Sequence, residues 1–400
     1  MYCMKKIFVS IGLLIFGLSA QAQALSLKIK NLSDKEIVDY VVELPPAALK
    51  SLPMGNYKVV VDGQEVPLEI SANVKGETKA VFPIAVFHPN ETKQVKIVAG
   101  QAVQYPKRTY AEIAHKIGGH FEGQNYVGGF SWVKPNYIRV PDNFKDHAYY
   151  IKYEGPGWES DKVGFRFYID QRNAIDVYGK KTPGIVLPFV GVDDYESYHH
   201  LSDWGMDNMK VGEALGIGSI AVWDGERAVR VEKTDSVISY IPADGKVRSQ
   251  VMTTYYGWDA NGTKCHLQSL ISIDAGSRAS RMELLLDKPI ENLAVGINKD
   301  KNAGFFSQIN KNEEWSYIAT FGKQSLNDDN MGLALFVRTK QIKELTEDTR
   351  NHVVILNPNS YVDYYFMPTW ELDWEPVVTK DDFVRCINEV LNRLNFKYTL

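Results

Sequence analysis

The densest polar stretch of the chain is Tyr198-His199-His200-Leu201-Ser202-Asp203-Trp204-Gly205-Met206-Asp207-Asn208-Met209-Lys210. These residue types move protons: an imidazole titrates near neutrality, carboxylates orient it, and a tyrosine or lysine can hold or deliver a proton. The acidic-aromatic run Asp193-Asp194-Tyr195-Glu196 leads into it. So mixed a stretch hardly resembles a strand core; it reads as a loop, where functional side chains concentrate. The bland reading is a solvated loop in which one histidine caps a turn. His199, His200, Asp203 and Asp207 offer metal-ligand types, but at no established ligand spacing. We therefore expect no metal and no cofactor.

A second stretch runs from Glu154-Gly155-Pro156-Gly157 into Val163–Ile169. Strand alternation puts Arg166 on the face of Gly164 and Tyr168. An arginine among aromatics suits capture of a substrate carboxylate. The competing reading is a structural ion pair with Glu159, Asp161 or Asp170, and Asn173, Asp176 and Lys180 follow closely enough to join either network. A third group, Tyr255, Tyr256 and Trp258, precedes an Asn261-Gly262 turn. It offers a stacking wall for a sugar ring; the alternative is cross-strand packing. His200 and Asp203 are expected to face substrate beside that wall.

These residue types are coherent with a chemistry that the family resemblance given below implies, the elimination of water across C4 and C5 of a uronic acid. A cation, Arg166 or Lys210, neutralises the carboxylate so that the C5 proton becomes acidic. A base, His199 or an ionised Tyr198, takes that proton, and a second tyrosine or histidine protonates the departing hydroxyl. A polysaccharide lyase needs the same parts with a sugar as leaving group. A glycoside hydrolase needs two opposed carboxylates, for which Asp203 and Asp207 are the candidates. A non-catalytic carbohydrate-binding protein needs only the aromatic surface.

The elements that must position these residues are strands. Leu25–Lys30 alternates, Ile37–Leu44 ends at Pro45-Pro46, and Asp62-Gly63, Asp224-Gly225, Asp244-Gly245 and Asn261-Gly262 mark hairpin turns. The one helical period, Phe383, Ile387, Val390, Leu391 and Leu394, follows Thr379 as N-cap with Asp381 and Asp382 in the first turn. This predicts a helix over 380–395 on the outside of a large sheet. Residues 101–143, with Gly118-Gly119 and Gly128-Gly129, read as a long irregular loop over a site. The fold class is mostly β: a small N-terminal β-sandwich at 23–103, then a large β-sandwich at 104–400 ending in the helix.

Composition bounds the partners. Lys and Arg number 45 against 49 Asp and Glu, so no basic surplus exists to bind nucleic acid. The 22 Tyr, 17 Phe and 8 Trp suit strands and sugar-binding surfaces. Beyond the N-terminus no apolar run is long enough to span a bilayer. At the N-terminus, Lys5-Lys6, the apolar Ile7–Ala20 and Ala20-Gln21-Ala22 read as a signal peptide over 1–22, giving a periplasmic or secreted chain. Cys3 is lost with it. Cys265 and Cys386 remain, too few for a disulfide scaffold; two buried thiols or a single bridge both fit. Sequence leaves the oligomeric state open.

The longer motifs resemble a known family. Tyr153-Glu-Gly-Pro-Gly-Trp-Glu-Ser-Asp with Phe165-Arg-Phe-Tyr, Ala174-Ile-Asp-Val-Tyr-Gly-Lys, Tyr198-His199 through Asp207-Asn-Met-Lys-Val-Gly, and Ile273-Asp-Ala-Gly-Ser are similar to the domain-of-unknown-function family 4861. Phe321-Gly-Lys-Gln-Ser-Leu and Tyr365-Phe-Met-Pro-Thr-Trp-Glu fit it too. The resemblance implies a secreted protein of polysaccharide utilisation with a galactose-mutarotase-like large sandwich. It also implies an oligosaccharide dehydratase acting on the non-reducing-end uronate of ulvan fragments, an acidic oligosaccharide partner. Tyr198, His199, Asp207 and Lys210 hold the matching positions, whereas His200 falls where members differ. N-terminal sequencing of exported protein is expected to begin at Gln23; a product retaining Met1 would refute the leader.

Overall fold

The computed structural model describes residues 25–44, 47, 55–101, 103–193 and 195–399. The leader at 1–22, the Pro45-Pro46 strand end and Asp194 lie outside the described residues. Among the described residues the chain is mostly β, with one long helix near its end.

Alternation in Leu25–Asn31 buries Ile29 and leaves its lysines in solvent. The strand pairs with Thr92–Ala99 on one side and with Tyr398–Thr399 on the other. Tyr57–Val61 and Gln64–Pro67 complete this five-stranded sheet. It closes on a three-stranded sheet of Ile37–Leu44, Thr78–Phe87 and Glu69–Ala72 over a core of Ile29, Val42, Val59, Phe82, Phe87 and Ile97. Phe396, from the far end of the chain, is part of that core. The Asp62-Gly63 and Asn261-Gly262 turns have positive φ at both residues, 48° and 88°, and 52° and 85°. That is the type I′ geometry whose twist matches a hairpin.

The larger sandwich sets a nine-stranded antiparallel sheet against two five-stranded sheets. Leu267, Ile271, Leu333 and Phe366 from the nine-stranded sheet meet Phe165, Val177, Ile220 and Val295 from the other layer. On the outer face of the nine-stranded sheet lies the predicted helix, Lys380–Leu394. Thr379 and Asp382 form a reciprocal capping box, each side chain accepting the other's backbone N–H. Phe383, Ile387 and Val390 pack on Trp315, Ala319, Phe336 and Met367. Gly332 admits the Phe383 ring, which a Cβ there would meet at 2.6 Å.

Arg248 ties the two sandwiches, bonding Glu43 of the small one and Asp274 of the large one. Cys265 and Cys386 are free thiols, the first in the sandwich core and the second on the helix itself, partly buried against the sheet. Among the described residues no helix is long and apolar enough to cross a membrane.

Residues 101–143, expected to form an irregular loop, are largely strand. They contain strands Thr109–Glu112, His115–Glu122, Asn125–Val133 and Tyr137–Arg139. Glycines at 118, 119, 128 and 129 removed the side chains whose alternation would have shown it.

Because Phe396 fills the small sandwich from the other end of the chain, Phe396→Ala is expected to lower stability by about 3 kcal/mol. Chemical denaturation checks this; an unchanged midpoint would mean that the C-terminal strand is dispensable.

Candidate active site

One five-stranded sheet builds the site. Its strand order is Gly205–Asp207, Ile175–Lys180, Gly164–Phe167, Gly157–Ser160 and Thr109–Glu112. Phe165 and Val177 turn into the sandwich core. Alternation sends their neighbours to the opposite face. Arg166 is registered against Asp176, and Tyr178 against both Gly164 and Asp207. Gly157 on this face leaves room beside Arg166 for the Tyr153 ring, which a Cβ there would meet at 2.6 Å.

Arg166 is the hub, with its side chain 3% exposed. Its Nε donates to Asp176 Oδ2 at 3.0 Å, and Nη2 donates to Asp176 Oδ2 at 2.8 Å and to Asp207 Oδ2. Nη1 donates to the Tyr198 hydroxyl at 2.9 Å and to Glu154 Oε2 at 3.4 Å. A guanidinium has five N–H donors, and all five are used. The Tyr168, Tyr178 and Tyr198 rings surround it, with centroids 4.7, 5.8 and 5.1 Å from Cζ. The Tyr168 hydroxyl also donates to Asp176.

His199 sits at the rim, 31% exposed, with Nε2 3.2 Å from Asp207 Oδ2. Arg166 and His199 therefore share one carboxylate oxygen. The bond to Asp207 raises the His199 pKa above its ordinary value, against the opposing effect of burial. Burial, and then the Asp207 charge, push Asp176 up to about 6. Burial also raises Tyr198 and holds it protonated, outweighing the opposite pull of Arg166. Asp207 Oδ1 and the Tyr178 hydroxyl are buried without a hydrogen-bond partner among the described residues.

The covering segment is anchored by buried charges. Lys180 donates to Glu159 at 2.7 Å, and Glu159 accepts from the Val186 and Leu187 N–H groups. Lys152 donates to Glu112, to Leu187 O and to Pro188 O. Val186, Leu187, Val190 and Tyr195 then pack with Tyr198 against Tyr110, Tyr153 and Tyr178. On the other flank, Tyr153 and Glu154 have φ of 37° and 70°. Such left-handed values at non-glycine residues store strain, here where Glu154 turns to Arg166 and Arg172. Asp146, His147 and Glu154 bring ligand-type atoms within 4.8 Å of one another. The Arg172 guanidinium already bonds Asp146 and Glu154, at 2.8 and 2.7 Å, and supplies the positive charge.

The structure brings together Tyr198, His199, Asp207 and Arg166. Among the described residues, none of the other expected ones hydrogen-bonds to this cluster. Lys210 lies past the end of the Gly205–Asp207 strand, where Met209 bridges to Ser325, and its ammonium pairs with exposed Asp328 at 2.9 Å. His200 and Asp203 are exposed on the turn before that strand. Tyr255 and Trp258 are fully buried in the sandwich core, so they form no wall. A bulge between them, at Gly257 with φ of 60°, points both inward and leaves Tyr256 outside against His266. Arg166 is no substrate clamp, since it has no donor to spare. Its anions are Asp176, Asp207 and Glu154, and none of Glu159, Asp161 and Asp170 is among them. Burial keeps Tyr198 protonated, which disfavours the ionised form that a tyrosine base would need.

Sequence reading missed Glu154, Tyr168 and Tyr178 as members of the site. The period-2 pattern that put Arg166 with Gly164 and Tyr168 would also have put Asp176 with Tyr178, had the pairing register been known.

The class that fold and site define is a mostly β protein with a histidine–carboxylate pair oriented by a buried arginine. Residues 29–400 match the family model described as a domain of unknown function, DUF4861, and the chain belongs to that family. A curated relative, "Uncharacterized protein P7" of Formosa agariphila, is 27% identical over 263 residues, covering 60% of this chain and 64% of the relative. Two solved structures from Enterococcus faecalis are similar over 94% of this chain at 8% identity. One is of a protein in glycosyl hydrolase family 38, with a TM-score of 0.44 and 47% of its length covered. The other is of an alpha-mannosidase, with a TM-score of 0.43 and 46% covered.

Arg166→Met is expected to cost about 3–5 kcal/mol, because it leaves buried carboxylates without their cation. Thermal unfolding of the variant tests this; a melting temperature equal to wild type would show that the carboxylates take up protons without penalty.

Proposed function

We propose that this chain is an exported carbohydrate-active lyase. It removes water from the uronic acid at the non-reducing end of acidic, ulvan-type oligosaccharides and leaves an unsaturated uronate. The observation that carries the reading is the shared Asp207 oxygen: one carboxylate orients both a rim imidazole and a buried arginine that in turn holds a protonated phenol. The resemblance of the motifs to polysaccharide-utilisation proteins supports the substrate class.

In this reading His199, with Nε2–H on Asp207, takes the C5 proton at Nδ1. The C5–H electron pair becomes the C4–C5 double bond and the C4–O bond breaks. The hydroxyl leaves as water with the phenolic proton of Tyr198. Arg166 Nη1, already on the Tyr198 oxygen, stabilises the phenolate that forms. The proton on His199 then passes to the Tyr198 phenolate, the two ring centroids being 4.7 Å apart, and both groups are restored. The carboxylates argue against a glycosidase: Glu154, Asp176 and Asp207 are all buried and engaged by Arg166, so they do not flank a water-filled gap.

Purified protein with uronate-terminated oligosaccharides is expected to generate an ultraviolet-absorbing conjugated product. His199→Ala should cut turnover roughly 10²–10⁴-fold with little loss of stability. Because the base must be neutral, kcat/KM should rise with pH through the raised His199 pKa, above the ordinary value of about 6.5. Cleavage without absorbance, or full activity in folded His199→Ala, would overturn the proposal.

A further inference from the structure

The hairpin His115–Glu122 with Asn125–Val133 is a two-stranded sheet of its own. Phe121 and Tyr126 anchor it to Tyr150, with ring centroids 5.1 and 4.9 Å away. The Tyr126 hydroxyl accepts the Gly119 N–H at 2.9 Å. The register shifts between Gly128 and Ser131, so Gly129 and Phe130 together face Gly118. A bulge of this kind re-aims a side chain. Here it seats Phe130 directly on Gly118: a Cβ at Gly118 would lie 1.9 Å from Phe130 Cε1. Phe130 is nevertheless 83% exposed. Isolated exposed apolar residues need no explanation. This ring differs, because a glycine with φ of 86° makes space for it and so holds it out in solvent.

The hairpin also touches the catalytic segment. Trp132 Nε1 donates to Val192 O at 3.1 Å, on the stretch that carries Tyr195, Tyr198 and His199. Phe189, on the same stretch, is 77% exposed. Beside Trp132 lies Lys116, its ammonium 5.4 Å from the indole centroid. No carboxylate among the described residues pairs with it. The surface thus combines a supported aromatic ring, an uncommitted cation and a direct bond to the loop of the site.

We infer that this hairpin is a stacking subsite for a further sugar of the substrate chain. Phe130 receives the C–H face of a pyranose, and Lys116 meets an anionic substituent, carboxylate or sulfate, on the same chain. The inference rests on the proposed reading of the substrate as an acidic oligosaccharide. It replaces Tyr255 and Trp258 as the aromatic surface with residues that solvent can reach.

Calorimetric titration of the full chain with ulvan-derived uronate oligosaccharides, a disaccharide and a hexasaccharide, tests it. Wild type should bind the hexasaccharide more tightly. Phe130→Ala should weaken hexasaccharide binding about tenfold and disaccharide binding by less than about twofold, while Phe130→Trp retains both. The melting temperature should not move, because the ring is exposed. Lys116→Gln should weaken the hexasaccharide, and a chemically desulfated hexasaccharide separates the two anions. If Lys116→Gln costs nothing only with the desulfated ligand, sulfate is the group met; an unchanged cost assigns carboxylate. Wild-type hexasaccharide affinity in Phe130→Ala, equal losses at both lengths, or no binding by wild type would each overturn the subsite. Phe130-dependent binding without an ultraviolet-absorbing product would sink the elimination and leave the subsite standing.

Discussion

The site hangs on one buried cation. A guanidinium removed from water is stable only when its charge is matched and its N–H donors are bonded. Arg166 meets that demand with Glu154, Asp176, Asp207 and the Tyr198 hydroxyl. Each partner comes from a different part of the local fold: a strained turn, a neighbouring strand, an edge strand and the covering segment. The arginine therefore fixes register, loop path and the geometry of the site together. The same constraint explains why it does not clamp substrate.

Around this hub the structure alternates permissive and restrictive positions. Gly157 admits the Tyr153 ring beside Arg166, and Gly191, with φ of 67°, lets the covering segment approach Tyr198 and Tyr153. Buried Glu159 and Lys152 bind backbone groups of Val186, Leu187 and Pro188, so the segment is held from beneath by charges instead of by a regular element. His199 is the member of the cluster that reaches solvent, while Arg166, Asp207 and Tyr198 are buried beneath it. The apolar face of the same strands closes the sandwich, so stability and chemistry share one sheet.

Much of this was legible in the sequence. Alternation and Asp-Gly or Asn-Gly turns predicted strands and hairpins because side-chain period and positive φ are local properties. The capping residues and apolar spacing of 380–395 predicted the helix for the same reason. Arg166, Tyr198, His199 and Asp207 stood out by residue type within two unusual stretches. Lys210 stood out equally, yet three residues beyond Asp207 the chain leaves the sheet to meet Ser325 and Asp328.

What the sequence determined by itself was the class of fold and the inventory of acid–base groups, since period, turn chemistry and side-chain pKa range belong to short segments. The tertiary structure decided which of those groups meet. Strand order put Asp176 opposite Arg166 and Asp207 beyond Tyr178. A bulge at Gly257 turned Tyr255 and Trp258 into core, and a bulge opposite Gly118 turned Phe130 out to solvent. Register and bulges depend on pairing between strands distant in the chain, and a one-residue change reverses every facing. The burial that raises the Tyr198 and Asp176 pKa values exists only after that pairing is complete.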